Sequence, residues 1–221
     1  MINLKEFAQR RSRLMKLMGA GSVAIVMAPP HLLRNADVEY PYRPDSNFYY
    51  LSGFDEPDAV LVLLPGKNAR SIMFCQDRNP EQEIWTGARA GPEGVCRDYA
   101  IDEAFSIEML DNKMPELLDG CTSLYSMYGR NSNFDSQIFS WVNRLRVKNR
   151  AGVKAPVAFC DVAALLNEMR LIKSSGEIKT MRRAAEITAE AHIQAMRTAR
   201  PGQMEFEVSA DIQHVFNKAG A

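Results

Sequence analysis

A chain of 221 residues has the length of one large domain, or of one domain with part of another. Its 46% hydrophobic and 24% charged residues are ordinary for a globular protein that buries a core without disulfides. The 27 basic and 27 acidic residues give a formal net charge of zero, which argues against nucleic acid as the main partner. The longest apolar stretches, Val23–Pro30 and Ala59–Pro65, are too short to cross a membrane, so we expect no membrane association.

The four cysteines indicate reduced thiols. Cys75, Cys96, Cys121 and Cys160 form no C-x-x-C pair, and each lies beside apolar residues or at the edge of a predicted element. The amphipathic start of the chain has no continuous apolar core of the kind a secretory signal requires. We therefore expect a cytoplasmic protein.

Helices and strands alternate along most of the chain. We predict, in order, a helix that stops at Gly19, strand Ser22–Met27, strand Ala59–Leu64 with Ser71–Cys75 as its hairpin partner, helices Pro80–Trp85, Gly91–Tyr99 and Met114–Leu118, strand Leu124–Tyr128, a helix through Phe134 and Leu145, and a helix capped by Asp161. The aromatic stretch Asp37–Gly53 is rich in turn formers and is predicted to be irregular. This alternation favours a layered α/β domain.

The character of the sequence changes near Lys173. A capping box, Ser174-x-x-Glu177, opens a helical stripe that runs to about Arg200, and Pro201-Gly202 separates it from a second stripe that ends near Gly220. Two helices cannot bury their apolar faces alone. We therefore expect them to pack on the preceding domain or on further polypeptide, and the end of the chain at Ala221 suggests a truncation.

Histidines and cysteines form no recognisable catalytic or zinc motif. Only His31, His192 and His214 are present, and the last two lie on the two late predicted helices. A metal site shared by His192 and His214 is conceivable, but surface histidines are the favoured interpretation in the absence of a matching carboxylate cluster.

Charged clusters are interpreted in the same way. The carboxylates Asp55, Glu56 and Asp58 could serve acid–base chemistry, but a polar turn that leads into strand Ala59–Leu64 is favoured. We predict solvated helix faces for the remaining clusters. These are Glu81 with Glu83, and Arg10 with Arg11 and Arg13.

Three strings resemble one known family. The stretch RNADVEYPYRPDSNFYYLSGFDEP, from Arg34 to Pro57, is similar to the signature of the aminopeptidase P N-terminal domain. The string EIWTG, which begins at Glu83, and EMRLIKS, which begins at Glu168, are similar to two further motifs of that family. We therefore identify the chain as a member of the Xaa-Pro aminopeptidase family.

The resemblance implies an architecture. Residues 1–172 would form the family's layered α/β N-terminal domain with a mixed sheet. Residues 173–221 would begin an incomplete α+β catalytic domain of the pita-bread type. The family's two metal ions, usually manganese, are held by five residues that follow the position of Ala221, so we assign no catalytic and no metal-binding residue and expect this fragment to bind no metal.

The resemblance also implies a function. The complete enzyme would remove the first residue from peptides with proline in second position, whereas the 221-residue chain would be inactive. Trp85 and Arg150 are the expected substrate-binding residues, with a core tryptophan and a surface arginine as the alternatives. Family members are often dimers or tetramers, and we expect Asp37–Pro57 to be scaffolding pinned by Arg34, Arg43 and Asp45.

Two rival functions remain open. A prolidase-type dipeptidase shares the two-domain plan, as does the metal-free creatinase, although the signature string favours aminopeptidase P or its close prolidase relatives. A non-catalytic module that binds peptides or proteins is the alternative from another class. Such modules usually bring acidic tails, and no charge run of that kind is present.

Overall fold

The computed structural model describes residues 3–148 and 152–221. These divide into two compact units, Leu4–Leu171 and Ile172–Ala221. The helices of the first unit are α1 Leu4–Met18, α2 Ser46–Ser52, α3 Pro80–Thr86, α4 Gly91–Tyr99, α5 Leu110–Leu118, α6 Ser132–Val147 and α7 Val162–Leu171, with a short 3-10 turn at Ile107–Met109. Its strands are β1 Ser22–Ala28, β2 Leu33–Asn35, β3 Val38–Glu39, β4 Ala59–Leu64, β5 Arg70–Cys75, β6 Glu103–Ser106, β7 Ser123–Ser126 and β8 Ala158–Asp161.

A six-stranded mixed sheet organises the first unit. Its strand order is β6-β5-β4-β1-β7-β8. The centre is antiparallel, with β1 paired to β4 and β4 to β5, whereas the outer pairs β5–β6, β1–β7 and β7–β8 are parallel. Strands β2 and β3 form a separate two-stranded hairpin. The α/β fold with a mixed sheet, predicted from the sequence, is confirmed.

Both faces of the sheet are covered by helices. In β1, Val23 and Ile25 pack with α5 and α6, whereas Ala24 and Val26 face α1, α2 and α7. Successive residues of a strand point to opposite faces, so a strand buried on both faces must be apolar throughout. This explains the uninterrupted AVLVLL of β4, in which no residue is exposed.

The signature segment contains a helix that the sequence analysis missed. Residues 46–52, predicted to be irregular, form α2. The Asp45 side chain accepts hydrogen bonds from the backbone N–H groups of Asn47 and Phe48, at 2.8 and 3.0 Å, and so caps the first turn. Gly53 ends the helix with a left-handed φ of 68°. Seven residues are too few to show helical periodicity. The many aromatic residues of the segment favoured an irregular structure over a helix capped by Asp45 and Gly53.

Two arginines of α1 hold the other end of α2. Arg10 Nη1 donates to the carbonyl oxygen of Tyr50 at 3.1 Å, and Arg11 Nη1 donates to that of Leu51 at 2.9 Å. Arg11 also donates to the Ala100 carbonyl. Both arginines are buried, so the predicted exposed basic face is wrong for them and holds only for Arg13.

The anchors of the signature segment agree with the prediction at Asp45 and differ from it at Arg34 and Arg43. Arg34 and Arg43 are exposed, and the anchoring side chains are Asp45 and the two arginines of α1. The carbonyls at the end of a buried helix have no intrahelical partner, and the guanidinium groups supply donors to them.

The remaining predicted elements agree with the structure except at the edges of the main sheet and in the β2–β3 hairpin. Strands β2, β3, β6 and β8 were not predicted, β7 lies slightly earlier than predicted, and α5 begins four residues before the predicted Met114. Asp161 caps α7 as predicted, because its carboxylate accepts from the backbone N–H of Ala163 at 2.8 Å. The two missed strands of the main sheet are four residues long and partly exposed, and the two strands of the hairpin are three and two residues long and exposed.

The second unit is a pair of helices. They are α8 Ser175–Thr198 and α9 Glu205–Lys218, and they pack against each other. The predicted capping box is present at the start of α8, where Ser174 and Glu177 exchange side-chain and backbone hydrogen bonds. Thr198 Oγ1 donates to the Asp211 carboxylate at 2.8 Å and links the two helices.

Gly53→Ala should destabilise the first unit by roughly 2–4 kcal/mol, because a methyl group there meets both a left-handed backbone and the Phe7 ring at 2.7 Å. Gly19→Ala is the matched control, since Gly19 also ends a helix at φ 79° but has open space around it. The control should lose only about 1 kcal/mol in urea denaturation. Equal losses in the two variants would contradict the packing argument.

Arg11→Met should lower the free energy of unfolding by about 3 kcal/mol, because it leaves two backbone carbonyls without their charged donor. Arg13→Met, on the exposed side of the same helix, should change it by less than about 0.5 kcal/mol. Thermal and urea denaturation of the two variants measure the difference. A stable Arg11→Met protein would show that α2 does not need this donor.

Candidate functional site

The predicted site residue Trp85 lies on the short helix α3. Asn79 caps this helix, with its side chain accepting from the backbone N–H groups of Glu81 and Gln82. No residue of α3 is buried. Trp85 is 85% exposed and its neighbour Ile84 is 79% exposed, whereas the other tryptophan, Trp141, is 1% exposed and donates its indole N–H to Asp111. Trp85 is therefore not a core tryptophan of this unit.

A polar cleft of about 670 Å³ lies beside the indole. Residues from the β2–β3 hairpin, the end of β5 and α3 line it, including His31, Glu39, Asp58, Asp77 and Arg89. On the hairpin, His31 Nδ1 lies 3.2 Å from Glu39 Oε2. The lining thus combines several carboxylates with one exposed aromatic side chain.

Tyr42 and Glu56 connect the signature segment to this region. The Tyr42 hydroxyl donates to the Glu56 backbone carbonyl at 3.3 Å. Burial, together with the nearby carboxylates of Asp58, Asp45 and Asp55, raises the pKa of Tyr42 to about 12. Tyr42 therefore remains a neutral hydrogen-bond donor at neutral pH.

Glu56 fastens the loop that follows α3. Its Oε1 accepts a hydrogen bond from the Ala90 backbone N–H at 2.8 Å, while Oε2 is buried with no hydrogen-bond partner among residues 3–148 and 152–221. Burial raises the pKa of this carboxyl group above 4.5, against the opposing effects of the Ala90 N–H and the Arg89 charge. The polar turn predicted at residues 55–58 thus contains one structural carboxylate, and Asp58 accepts from the Gln76 side chain.

Glu83 is better covered than the predicted solvated helix face implies. Its side chain is 12% exposed, and it accepts hydrogen bonds from Arg78 Nε and Nη2 at 3.3 and 3.2 Å. These contacts with Arg78 are the main cause that lowers the pKa of Glu83. The prediction for Glu83 is therefore wrong, while Glu81 is exposed as predicted. The spacing of five residues between Arg78 and Glu83 spans the helix cap, so a helical i, i+4 search does not find this pair.

The other predicted candidates are Arg150, His192 and His214. Arg150 lies outside the described residues. His192 and His214 are exposed on α8 and α9. Across residues 3–148 and 152–221, no group of three or more His, Cys, Asp or Glu side chains is arranged to hold a metal ion. The residues in these two ranges therefore do not fit a dinuclear metal centre.

The cysteines and helices add little chemistry. All four cysteines are free, and burial raises the pKa of the Cys75 thiol to about 12, which disfavours the nucleophilic thiolate. None of the described helices combines the length and the apolar character needed to cross a membrane.

Comparison with known proteins identifies the class of this fold. Residues 7–125 match the family described as aminopeptidase P, N-terminal domain. The chain therefore belongs to the aminopeptidase P family.

Individual relatives agree along the whole chain. It is 38% identical to the Xaa-Pro aminopeptidase of Escherichia coli K12 over 222 residues, which cover 100% of this chain and 50% of that protein. For the Xaa-Pro aminopeptidase of Haemophilus influenzae the identity is 37%, over 97% of this chain and 47% of that protein. The chain thus spans about half the length of the curated relatives it matches.

Solved structures show the same relation. The structure of Pseudomonas aeruginosa aminopeptidase PepP superimposes with a TM-score of 0.97 and 43% identity, over 100% of this chain and 50% of that one. A zinc-substituted E. coli aminopeptidase P in complex with product superimposes with the same TM-score at 38% identity, over the same shares of the two chains. The fold of this chain is therefore that of the matching half of aminopeptidase P structures.

Glu56→Gln should become progressively more stable relative to the unsubstituted protein as the pH rises from about 4. The raised pKa means that the folded carboxyl group keeps its proton where the unfolded one has lost it, so its stabilising contribution is complete below 4.5 and is lost as the pH rises through the folded pKa. Glutamine keeps an acceptor for the Ala90 N–H without the buried charge. Urea denaturation across this pH range measures the effect, with Glu81→Gln as the exposed control. A difference that shrinks with rising pH would contradict the assignment.

Proposed function

We propose that this chain is the N-terminal half of a metal-dependent Xaa-Pro aminopeptidase, which releases the first residue from peptides with proline in second position. Residues 1–172 would form its N-terminal domain, and residues 173–221 would form the first helices of its pita-bread catalytic domain. The family match and the printed names of the relatives support this proposal. Its structural support is the exposed indole of Trp85 in the EIWTG string.

Trp85 is proposed to contact substrate. An indole that is 85% exposed keeps a large apolar surface in water, and covering it with a ligand or a partner is favourable. Its flat face suits the ring of a proline residue. The neighbouring carboxylates of the cleft supply acceptors for backbone N–H groups of a peptide.

A neighbouring subunit would supply the pocket that Trp85 enters. Apolar side chains are exposed on the β2–β3 hairpin as well as on α3, with Leu32 and Leu33 more than 65% exposed. Large exposed apolar side chains of this kind mark contact surfaces when they cluster. We therefore propose a homo-oligomer, a dimer or tetramer, in which Trp85 and Arg150 approach the substrate from the N-terminal domain.

Bond cleavage is assigned to the half of the protein that this chain does not cover. Two metal ions, proposed to be manganese, would polarise the scissile carbonyl and activate water there. The 221-residue chain alone is accordingly proposed to be inactive, and the complete enzyme to be cytoplasmic.

A chimera tests the proposed function. This chain, placed in the corresponding half of the E. coli Xaa-Pro aminopeptidase, should give a folded, manganese-dependent enzyme that releases alanine from Ala-Pro-Ala. Trp85→Ala in the chimera should lower kcat/KM by about tenfold, equivalent to ~1.4 kcal/mol of lost binding. Ile84→Ala, an equally exposed change on the same helix, is the control and should have little effect.

Three results would contradict the proposal. A folded chimera without activity would argue that this chain belongs to a different enzyme or to a binding module. Equal activities of the Trp85→Ala and Ile84→Ala chimeras would remove the substrate role of the indole. Hydrolysis of Ala-Pro-Ala by the purified 221-residue chain would overturn its assignment as an inactive half.

A further inference from the structure

The helix that presents Trp85 lacks the usual anchor of a helix. Helices in proteins are held mainly by the packing of an apolar face, and seven residues are too few for a stable helix in isolation. Yet α3 has no buried residue. Its position must therefore be fixed by polar contacts at its ends and in the loop that follows it.

Arg78 provides the first of these contacts. It directly precedes the capping residue Asn79, and its guanidinium group bonds to both carboxylate oxygens of Glu83 in the middle of α3. The geometry is bidentate, which fixes orientation as well as distance. Glu83 is in turn part of the helix backbone, because its N–H donates to Asn79 and its carbonyl accepts from Gly87.

The stem of Arg78 is held from its other side by the returning chain. Gly91, at the start of α4, has a φ of 64°, and a methyl group placed on it would lie 2.8 Å from Arg78 Cγ. The arginine stem therefore lies directly against the backbone of Gly91. One residue earlier, the Ala90 N–H donates to Glu56. The loop between α3 and α4 is thus held at its α4 end by the Ala90–Glu56 hydrogen bond. Arg78, which packs against Gly91, joins this end of the loop to Glu83 of α3.

We propose that Arg78 and Glu83 are positioning residues for Trp85. Their ion pair, the packing of the Arg78 stem against Gly91 and the hydrogen bond from the Ala90 N–H to Glu56 together fix the position of the Trp85 indole beside the cleft. This inference rests on the proposed function only for its consequence in catalysis. The positioning of the indole itself concerns this chain alone. Because Trp85 lies two residues after Glu83, loss of the Arg78–Glu83 ion pair frees the last turn of α3.

The 221-residue chain labelled with 5-fluorotryptophan provides the test, because it contains two tryptophans. Fluorine NMR should show two resonances, of which Trp85→Phe removes the one from α3. In Arg78→Met and in Glu83→Gln, the Trp85 resonance should shift toward that of the unfolded chain and sharpen, while the Trp141 resonance stays in place. Gly91→Ala, which displaces the arginine stem, should produce the same change.

Three further variants sharpen the result. The double variant Arg78→Met/Glu83→Gln should shift the Trp85 resonance no further than either single variant, because both changes break the same pair. Arg78→Lys keeps the positive charge but loses the two-pronged guanidinium, so the Trp85 resonance should shift less than in Arg78→Met. If the Trp141 resonance also moves in Arg78→Met or Glu83→Gln, the milder Arg78→Lys variant provides the test of the positioning role. Arg97→Met removes an exposed ion pair with Asp98 on α4 and should leave both resonances unchanged.

The outcome distinguishes this inference from the proposed function. Unchanged Trp85 resonances in Arg78→Met, Glu83→Gln and Arg78→Lys would overturn the positioning role, whatever Trp85 does. If the resonances move, the same variants in the E. coli chimera should raise KM for Ala-Pro-Ala several-fold, with a smaller effect on kcat. If the Trp85 resonance shifts in these variants but KM does not change, the positioning role of Arg78 and Glu83 stands and the substrate role of Trp85 is refuted.

Discussion

The fold of the first unit depends on two guanidinium groups at the end of a buried helix. The last carbonyls of α2 cannot reach water, and Arg10 and Arg11 supply the donors that solvent would otherwise provide. Burying a charge is unfavourable unless it is hydrogen-bonded. Carbonyl oxygens at the negative end of the helix dipole, and the Tyr50 ring 4.1 Å from the Arg10 guanidinium, offset that penalty. These hydrogen bonds thereby fix helices α1 and α2 to each other in addition to their apolar contacts.

The same contacts give physical meaning to the family string. Asp45 caps the helix, Phe48 is buried in the core, and Gly53 permits both the left-handed turn and the approach of Phe7. The Tyr50 hydroxyl donates to the carbonyl of Met169, which ties α2 to α7. Short sequence signatures of this kind need not mark catalysis, because a buried polar junction constrains residue identity as tightly as an active site does.

The sequence predicted what periodicity and apolar runs can reveal. Central strands such as β4 are buried on both faces and stand out, whereas β6 and β8 lie at the sheet edges, where four partly exposed residues resemble a loop. Arg10 and Arg11 were assigned to solvent because their charge outweighed their position between Phe7 and Leu14, on the buried side of α1. Trp85 was found only through family resemblance. Its exposure and its Arg78–Glu83 support depend on tertiary geometry that a motif does not contain.

The mixed sheet has a consequence for synthesis on the ribosome. Its antiparallel centre, β1 with β4 and β5, is contained within residues 22–75, whereas the parallel partner of β1 begins at Ser123. At about 5–20 residues per second, the central hairpins emerge several seconds before β7. During that interval one edge of β1 is an open template of unpaired backbone groups. Until β7 emerges, that edge of β1 is therefore a place where a strand of another chain can pair.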